Sequence, residues 1–301
     1  MDYWLALWWV FPIALPICIT VCTVGIEGAI LFVPFFAIVF PILAFHLDPV
    51  QAVSIGLMTE VFGFASSLVA FWRARLIDFD IAGKSALKSV PFALAGGFLS
   101  FVVPQSVLLV IIALVLLLTA YGLHRAPGEA ELLRRAAAED PALLPVAGGS
   151  GHGYSDSRVL VDRLGRVYHY RYRNDRRRAA VVSLGGLFEG LVGFGIGVLG
   201  VSDLVLRGIP IRVAIGSSHF IIMVTALAAV SPHVIEVARG VAAVPWNVLV
   251  MTVPAVLIGG QFAAFVAGIV PPDRMRRFLT VLLVLLSGIT ALRALRLFGL
   301  V

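Results

Sequence analysis

The sequence predicts an all-α, polytopic membrane protein made of two internal repeats, and three observations carry that prediction. The composition is 60% hydrophobic and 13% charged with a mean hydropathy of +1.01, where a soluble domain is about half apolar and a quarter charged. Apolar segments recur about eight times, give or take one, most of them near the roughly 20 residues that cross a bilayer. Third, blocks of glycine and proline in the first half return in the same order in the second.

The first apolar stretch runs from Tyr3 to Phe45 with Glu27 as its only formally charged side chain. At roughly forty residues it is twice the length of one span. It is interrupted by "VCTVGIEGAILFVP", Val21 to Pro34. No basic region precedes Trp4 and the apolar run outlasts a signal-peptide core, so this segment is expected to stay in the mature protein. Cys18 and Cys22 lie four apart on one helical face without His or Asp neighbours in sequence, which reads as buried, inert thiols rather than a metal site.

Further apolar segments run from Val50 to Trp72, Ser89 to Val103, Ser106 to Leu123, Ala179 to Leu206, Ile211 to Val230, Val244 to Val270 and Phe278 to Leu297. Between them, "HLDP", "RARLIDFD", "VVPQ", "RGIP" and "PPDRMRR" read as loops. Residues 1–123 form the first repeat, 124–178 an arginine-rich linker, and 179–301 the second repeat. Within the linker "EAELLRRAAAED" has helical character and "PVAGGSGHGYSDS" is a flexible tether. "RVLVDRLGRVYHYRY" suggests a β-hairpin turning at Leu164 and Gly165, with a solvated linker as the alternative. From Arg125 to Arg178 there are 11 arginines against 7 acids, which assigns this section to the cytoplasm. Net charge is +6, and its clustering beside apolar segments accounts for it without nucleic acid.

Halving the chain at the linker aligns "GIEGAILFVP" with "GFGIGVLGVS", "AVSIGL" with "AIGSSH", "PFALAGGF" with "PAVLIGGQ", and the run from Val103 with that from Pro271. Parallel and inverted halves both remain open. Were Ala179 to Leu206 re-entrant, Arg207, Arg212, Arg274, Arg276 and Arg277 would fall on the linker side and the halves would be inverted, which the charge pattern favours.

Duplicated halves put a transport site at their interface. Irregular backbone at membrane depth is tolerated only inside protein or beside a polar cavity. The breaks at Gly25–Gly28 and Gly193–Gly197 are therefore expected to be re-entrant, with half-helix N-termini offering free N–H groups to an anion. Gly25, Gly28, Gly193, Gly195 and Gly197 are the backbone candidates, and close helix packing is the competing role, favoured for the pairs at Gly96 and Gly259. Glu27, Glu60 and Glu189 lie within apolar runs, where a carboxyl faces protein or water, and are candidates for proton coupling. Ser54, Thr59, Ser217, Ser218 and His219 supply hydroxyls and an imidazole near the starts of matched helices, to hold an oxyanion or simply to cap and pack.

The run "GIEGAILFVP" with "DPVQAVSIGL", followed by "GFGIGVLG" with "IPIRVAIGSS", resembles the TauE/SafE family of sulfite and organosulfonate exporters over nearly all of the chain outside the linker. Glu27 and Ala29 stand where the family's motif has glycine, and Ile196 and Ser202 depart from it in the second copy. The resemblance implies ATP-independent export of a small sulfur oxyanion across a bacterial inner membrane, with the bilayer and that anion as partners, no cofactor, and a monomer or homodimer as the working unit. A glutamate in such a site repels an anion unless protonated. An anion channel or a membrane sensor subunit is the alternative. An intramembrane hydrolase using Ser217 or Ser218 with His219 is remote, because neighbours in sequence point apart on a helix and no "GxSxG" elbow is present.

Overall fold

The computed structural model describes residues 5–125, 157–172, 176–269 and 272–298. The helix expected in "EAELLRRAAAED" and the tether up to Asp156 lie outside them. The first half contains α1 (Val10–Val24), α2 (Ala29–Leu43, with a π-helical turn at Phe35–Val39), α3 (Pro49–Arg73), α4 (Phe79–Val102) and α5 (Gln105–Arg125). Strands β1 (Ser157–Val161) and β2 (Val167–Arg171) follow. The second half contains α6 (Arg176–Val192), α7 (Ile196–Leu206), α8 (Ile211–Ala238), α9 (Trp246–Ile269) and α10 (Pro272–Leu297).

Six helices, α3, α4, α5, α8, α9 and α10, are long and apolar enough to cross a membrane. Their outward faces carry exposed Leu118, Phe265 and Leu285, as surfaces against lipid do. The remaining apolar segments form two antiparallel pairs. Trp9, preceding α1, stacks on Phe40 near the end of α2 with centroids 5.7 Å apart, so α2 returns along α1. Arg178 near the start of α6 donates to the Gly200 carbonyl at 2.9 Å and to Asp203 at 3.1 Å, so α7 returns along α6. Each pair enters and leaves by the same side of the bundle, as a re-entrant segment does.

The packing partners correspond when the halves are exchanged: α1 lies on α9 as α6 lies on α4, and α3 lies on α9 as α8 lies on α4. The matched helices α3 and α8 run antiparallel. Phe71, at the end of α3, stacks on His219 near the start of α8 at 4.2 Å, and Ser54, near the start of α3, meets His233 Nδ1 near the end of α8 at 2.7 Å. This is the arrangement that inverted halves require.

Small residues set the closest crossings. A Cβ on Gly96 would sit 3.1 Å from the Gly190 Cα, and one on Gly259 would sit 3.0 Å from the Cys18 Cβ. Hydroxyl pairs link helices through the interior, with Thr59 on Thr252 at 2.9 Å and Ser89 on Thr225 at 2.7 Å. Such bonds satisfy polar groups where lipid offers no partner.

The two strands pair antiparallel with Leu160 opposite Tyr168. Asp162 makes the turn by accepting the N–H groups of Leu164 at 2.8 Å and Arg166 at 2.9 Å. Burial pushes its carboxyl up, but these donors, the Arg166 guanidinium and the Tyr168 hydroxyl together hold it below the usual range. A lone hairpin is marginal, and this one is docked on both halves. Arg158 Nη1 reaches both oxygens of Asp78 at 3.1 Å, and the Tyr170 hydroxyl donates to Asp78 at 2.8 Å. Tyr170 also packs with Ile81 of α4, Leu204 of α7 and Val213 of α8. Burial and the Asp78 carboxylate raise the Tyr170 phenol above its ordinary value.

Candidate functional site

The tips of the two re-entrant pairs meet inside the bundle. Gly25 ends α1 at φ 76°, its N–H bonded to the Val21 carbonyl at 2.9 Å. Gly193 ends α6 at φ 90°, and Gly195 precedes α7 at φ 155°. These left-handed turns are open to glycine and strained for a side chain. They reverse the chain within three or four residues and leave the first N–H groups of the returning helices without intrahelical acceptors.

Carboxylates fill that need. Glu27, fully buried at the first tip, crosses to the second: one oxygen accepts the Gly195 N–H at 2.8 Å and the Gly197 N–H, and the other accepts the Val198 N–H at 3.3 Å. Glu60 of α3 accepts the Ala29 N–H at 2.7 Å, at the start of α2. The second oxygen of Glu60 and both oxygens of Glu189 are buried and make no well-formed hydrogen bond among the described residues, although Glu189 lies against Glu60 and the Ile196 N–H, and Glu27, Glu60 and Glu189 are neighbours around the break. The N-terminus of α7, which the sequence leaves to an anion from outside, thus holds a carboxyl group of the chain's own.

Gly28 starts α2, its carbonyl accepting from Leu31 and Phe32 at 3.1 Å. A Cβ on Gly197 would lie 2.9 Å from the Glu27 carboxyl, so the close approach there needs glycine. Ser218 joins the site from α8, donating to the Gly25 carbonyl at 3.2 Å and the Ile215 carbonyl at 2.7 Å. The other polar candidates lie elsewhere. Ser54 pairs with His233, Thr59 with Thr252, and Ser217 accepts the Asp78 N–H at 2.9 Å. His219 bonds the Ile215 carbonyl through Nδ1 at 2.7 Å and lies between Phe64 and Phe71. Ser217 and Ser218 are therefore each held by other partners, and neither is bonded to His219.

The sequence reading missed Asp203, an acid in the apolar run "GVLGVSDLVL", and placed its partner Arg178 in the linker. Asp203 receives Arg178 at 3.1 Å and Arg207 at 2.9 Å, and Arg178 is completely buried. Asp78 and His233 were passed over too. A lone acid within an apolar run, with arginines four and twenty-five residues away, was the available signal for the first.

The helix N–H groups at the contact of the two re-entrant tips are donors of the kind that suit a carboxylate or another small oxyanion. The family model for the sulfite exporter TauE/SafE matches residues 10–290. The chain belongs to that family. TauE/SafE proteins are membrane transporters, and the matched region takes in both tips, all three carboxylates and the hairpin. Neither a curated protein nor a solved structure gives a match to the chain.

Proposed function

We propose that this TauE/SafE protein is a secondary transporter that exports sulfite or a short organosulfonate across the bacterial inner membrane, with the hairpin on the cytoplasmic side. Glu27 serves as a tethered anion in its site. The observation that carries this reading is the Glu27 carboxylate on the N–H groups of Gly195, Gly197 and Val198. A carboxylate and a sulfur oxyanion ask for the same donors, so those N–H groups suit either. Oriented backbone dipoles hold such charge without a buried cation, and the one fully buried guanidinium among the described residues, Arg178, is bound to Asp203 and the Gly200 carbonyl at the base of the second pair.

Occupation by Glu27 makes binding competitive. A substrate anion enters when Glu27 gives up the donors, and protonation of its carboxyl weakens its hold on them. Anion and proton then bind together, which is the condition for coupling their movement. Glu60 and Glu189 face Glu27 across the break and share in that proton exchange. The inside-negative membrane potential favours exit where the anion carries more charge than the protons that move with it.

Glu27→Gln tests the reading in proteoliposomes with sulfite. The wild type is expected to bind sulfite more tightly as the pH is lowered, and the variant to bind with little pH dependence while remaining folded. Loss of sulfite binding in a folded Glu27→Gln protein would show that the carboxylate is a structural staple between the tips. Failure of the wild type to move sulfite or a sulfonate at any pH would overturn the function itself.

A further inference from the structure

At the corner between α3 and α4 lies a cavity of about 480 Å³, lined by Trp72, Arg73, Arg75 and Phe79 on one side and by Leu160 and Val161 of β1 on the other. Counting along α3 at 1.5 Å per residue places it roughly 20 Å from Glu60, so it is separate from the anion cradle. Arg75 is the only non-glycine residue with a left-handed backbone among those described, at φ 56°. It ends α3 in a Schellman turn: its N–H bonds the Trp72 carbonyl at 2.9 Å and the Leu76 N–H bonds the Phe71 carbonyl at 3.2 Å. Glycine usually occupies that position. An arginine held there against its backbone preference points to work for its side chain.

The charges around the cavity are unbalanced. Among the described residues neither the Arg73 nor the Arg75 guanidinium has an ion-pair or hydrogen-bond partner. The acids that follow α3 in sequence are already engaged, Asp78 by Arg158 and Tyr170 and Asp80 by Arg158 and Lys84, and Asp162, next to Val161, is held by Arg166 and Tyr168. Trp72 and Phe79 are 61% and 49% exposed at the ends of two membrane helices, the depth at which aromatic side chains meet lipid headgroups. At that depth the cavity presents two positive charges that no described residue compensates, beside apolar walls.

We propose that this cavity is a binding site for one anionic phospholipid, its phosphate between Arg73 and Arg75 and its acyl chains along Trp72 and Phe79. The lipid braces the hairpin. Leu160 and Val161 form the opposite wall, and the Arg163 N–H already joins the hairpin to the Ala74 carbonyl at 3.1 Å beside it. Because the same hairpin packs on α7 and α8 of the second half, the bound lipid strengthens a strap that spans both halves. The proposal does not depend on which anion is transported.

The purified protein in detergent is offered phosphatidylglycerol and phosphatidylcholine with the same acyl chains, and retained lipid is read by native mass spectrometry beside the melting temperature. An arginine near a headgroup gives about fivefold in affinity, so phosphatidylglycerol should be retained about 25-fold over phosphatidylcholine. Arg73→Gln and Arg75→Gly should each lower that preference about fivefold. Arg75→Gly is the sharper variant, because glycine relieves the left-handed backbone: it should melt no lower than wild type without lipid, yet lose most of the shift that phosphatidylglycerol produces. A wild type without preference, or an Arg73→Gln/Arg75→Gly protein that keeps it, would overturn the site. Inorganic phosphate raising the melting temperature as far as phosphatidylglycerol does would overturn the lipid in favour of a free anion.

Discussion

The two re-entrant pairs trace the same path and are held by opposite chemistry. At the base of the first, Trp9 stacks on Phe40, and Phe35, Phe36 and Phe45 close around Phe40 within 6.4 Å between ring centroids. At the base of the second, Arg178 binds Asp203, the Gly200 carbonyl and the Ser85 hydroxyl, at 2.9 to 3.1 Å. The tips differ as sharply, the first giving a carboxylate and the second giving N–H donors. Duplication therefore conserves the course of the backbone, while each copy is free to choose what fastens it.

The comparison can be broken most directly at Arg178. Removing one member of a buried ion pair costs about 3–5 kcal/mol. Arg207, still 2.9 Å from Asp203, keeps the loss toward the lower end of that range. Arg178→Leu should give a steep drop in melting temperature and a shifted elution on size exclusion. Arg178→Met with Asp203→Leu should recover only part of it, because the apolar pair removes one poorly paired carboxylate but takes from Arg207 its partner at 2.9 Å. If Arg178→Leu melts like wild type, charge does not hold the second pair.

The aromatic base should fail by degrees. Phe40 is fully buried, so Phe40→Ala is expected to cost about 3 kcal/mol and Phe40→Leu about 1 kcal/mol, following the volume removed. Thermal melts of the two proteins measure this. No graded series exists at Arg178, where Arg178→Lys gives up a fork that reaches three partners at once. Equal losses for Phe40→Leu and Phe40→Ala would mean that ring stacking, not volume, binds the first pair.

What could be read from the sequence follows from the range of each interaction. The breaks at Gly25 and Gly193 were legible because glycine clusters in an apolar run announce themselves locally, and the repeat was read from the recurrence of those clusters. The occupant of the cradle was not, since Glu27 meets Gly195 across 168 positions. Ser54, Thr59 and Ser217 looked equivalent because they open matched helices. With α3 and α8 antiparallel, however, the two openings lie at opposite ends of the bundle, and only Ser218 reaches a tip. Arg178 looked like one more linker charge until α7 folded back to place Asp203 beside it.

The smallest expected effect separates the two tips themselves. At Gly25 an added Cβ would lie 2.9 Å from the Ser218 Oγ and 3.0 Å from the Ile215 Cγ2, both on side chains. Gly25→Ala should therefore cost about 1–2 kcal/mol for the left-handed backbone, with a further increment from the hydroxyl. Ser218→Ala alone loses its bond to the Gly25 carbonyl, about 0.5–1.5 kcal/mol. In the double variant the hydroxyl's share of the crowding disappears while that of Ile215 remains, so its loss in melting temperature should be somewhat smaller than the sum of the two. At Gly195 the same methyl would meet the Phe188 Cβ at 2.7 Å and the Gly185 carbonyl oxygen at 3.0 Å, atoms fixed by the α6 backbone. Gly195→Ala should then have no partner mutation that rescues it, and Phe188→Leu, which keeps the Cβ, should leave its cost unchanged. Rescue at the second tip, or strict additivity at the first, would mean that the tips are equally yielding and that their asymmetry is confined to charge.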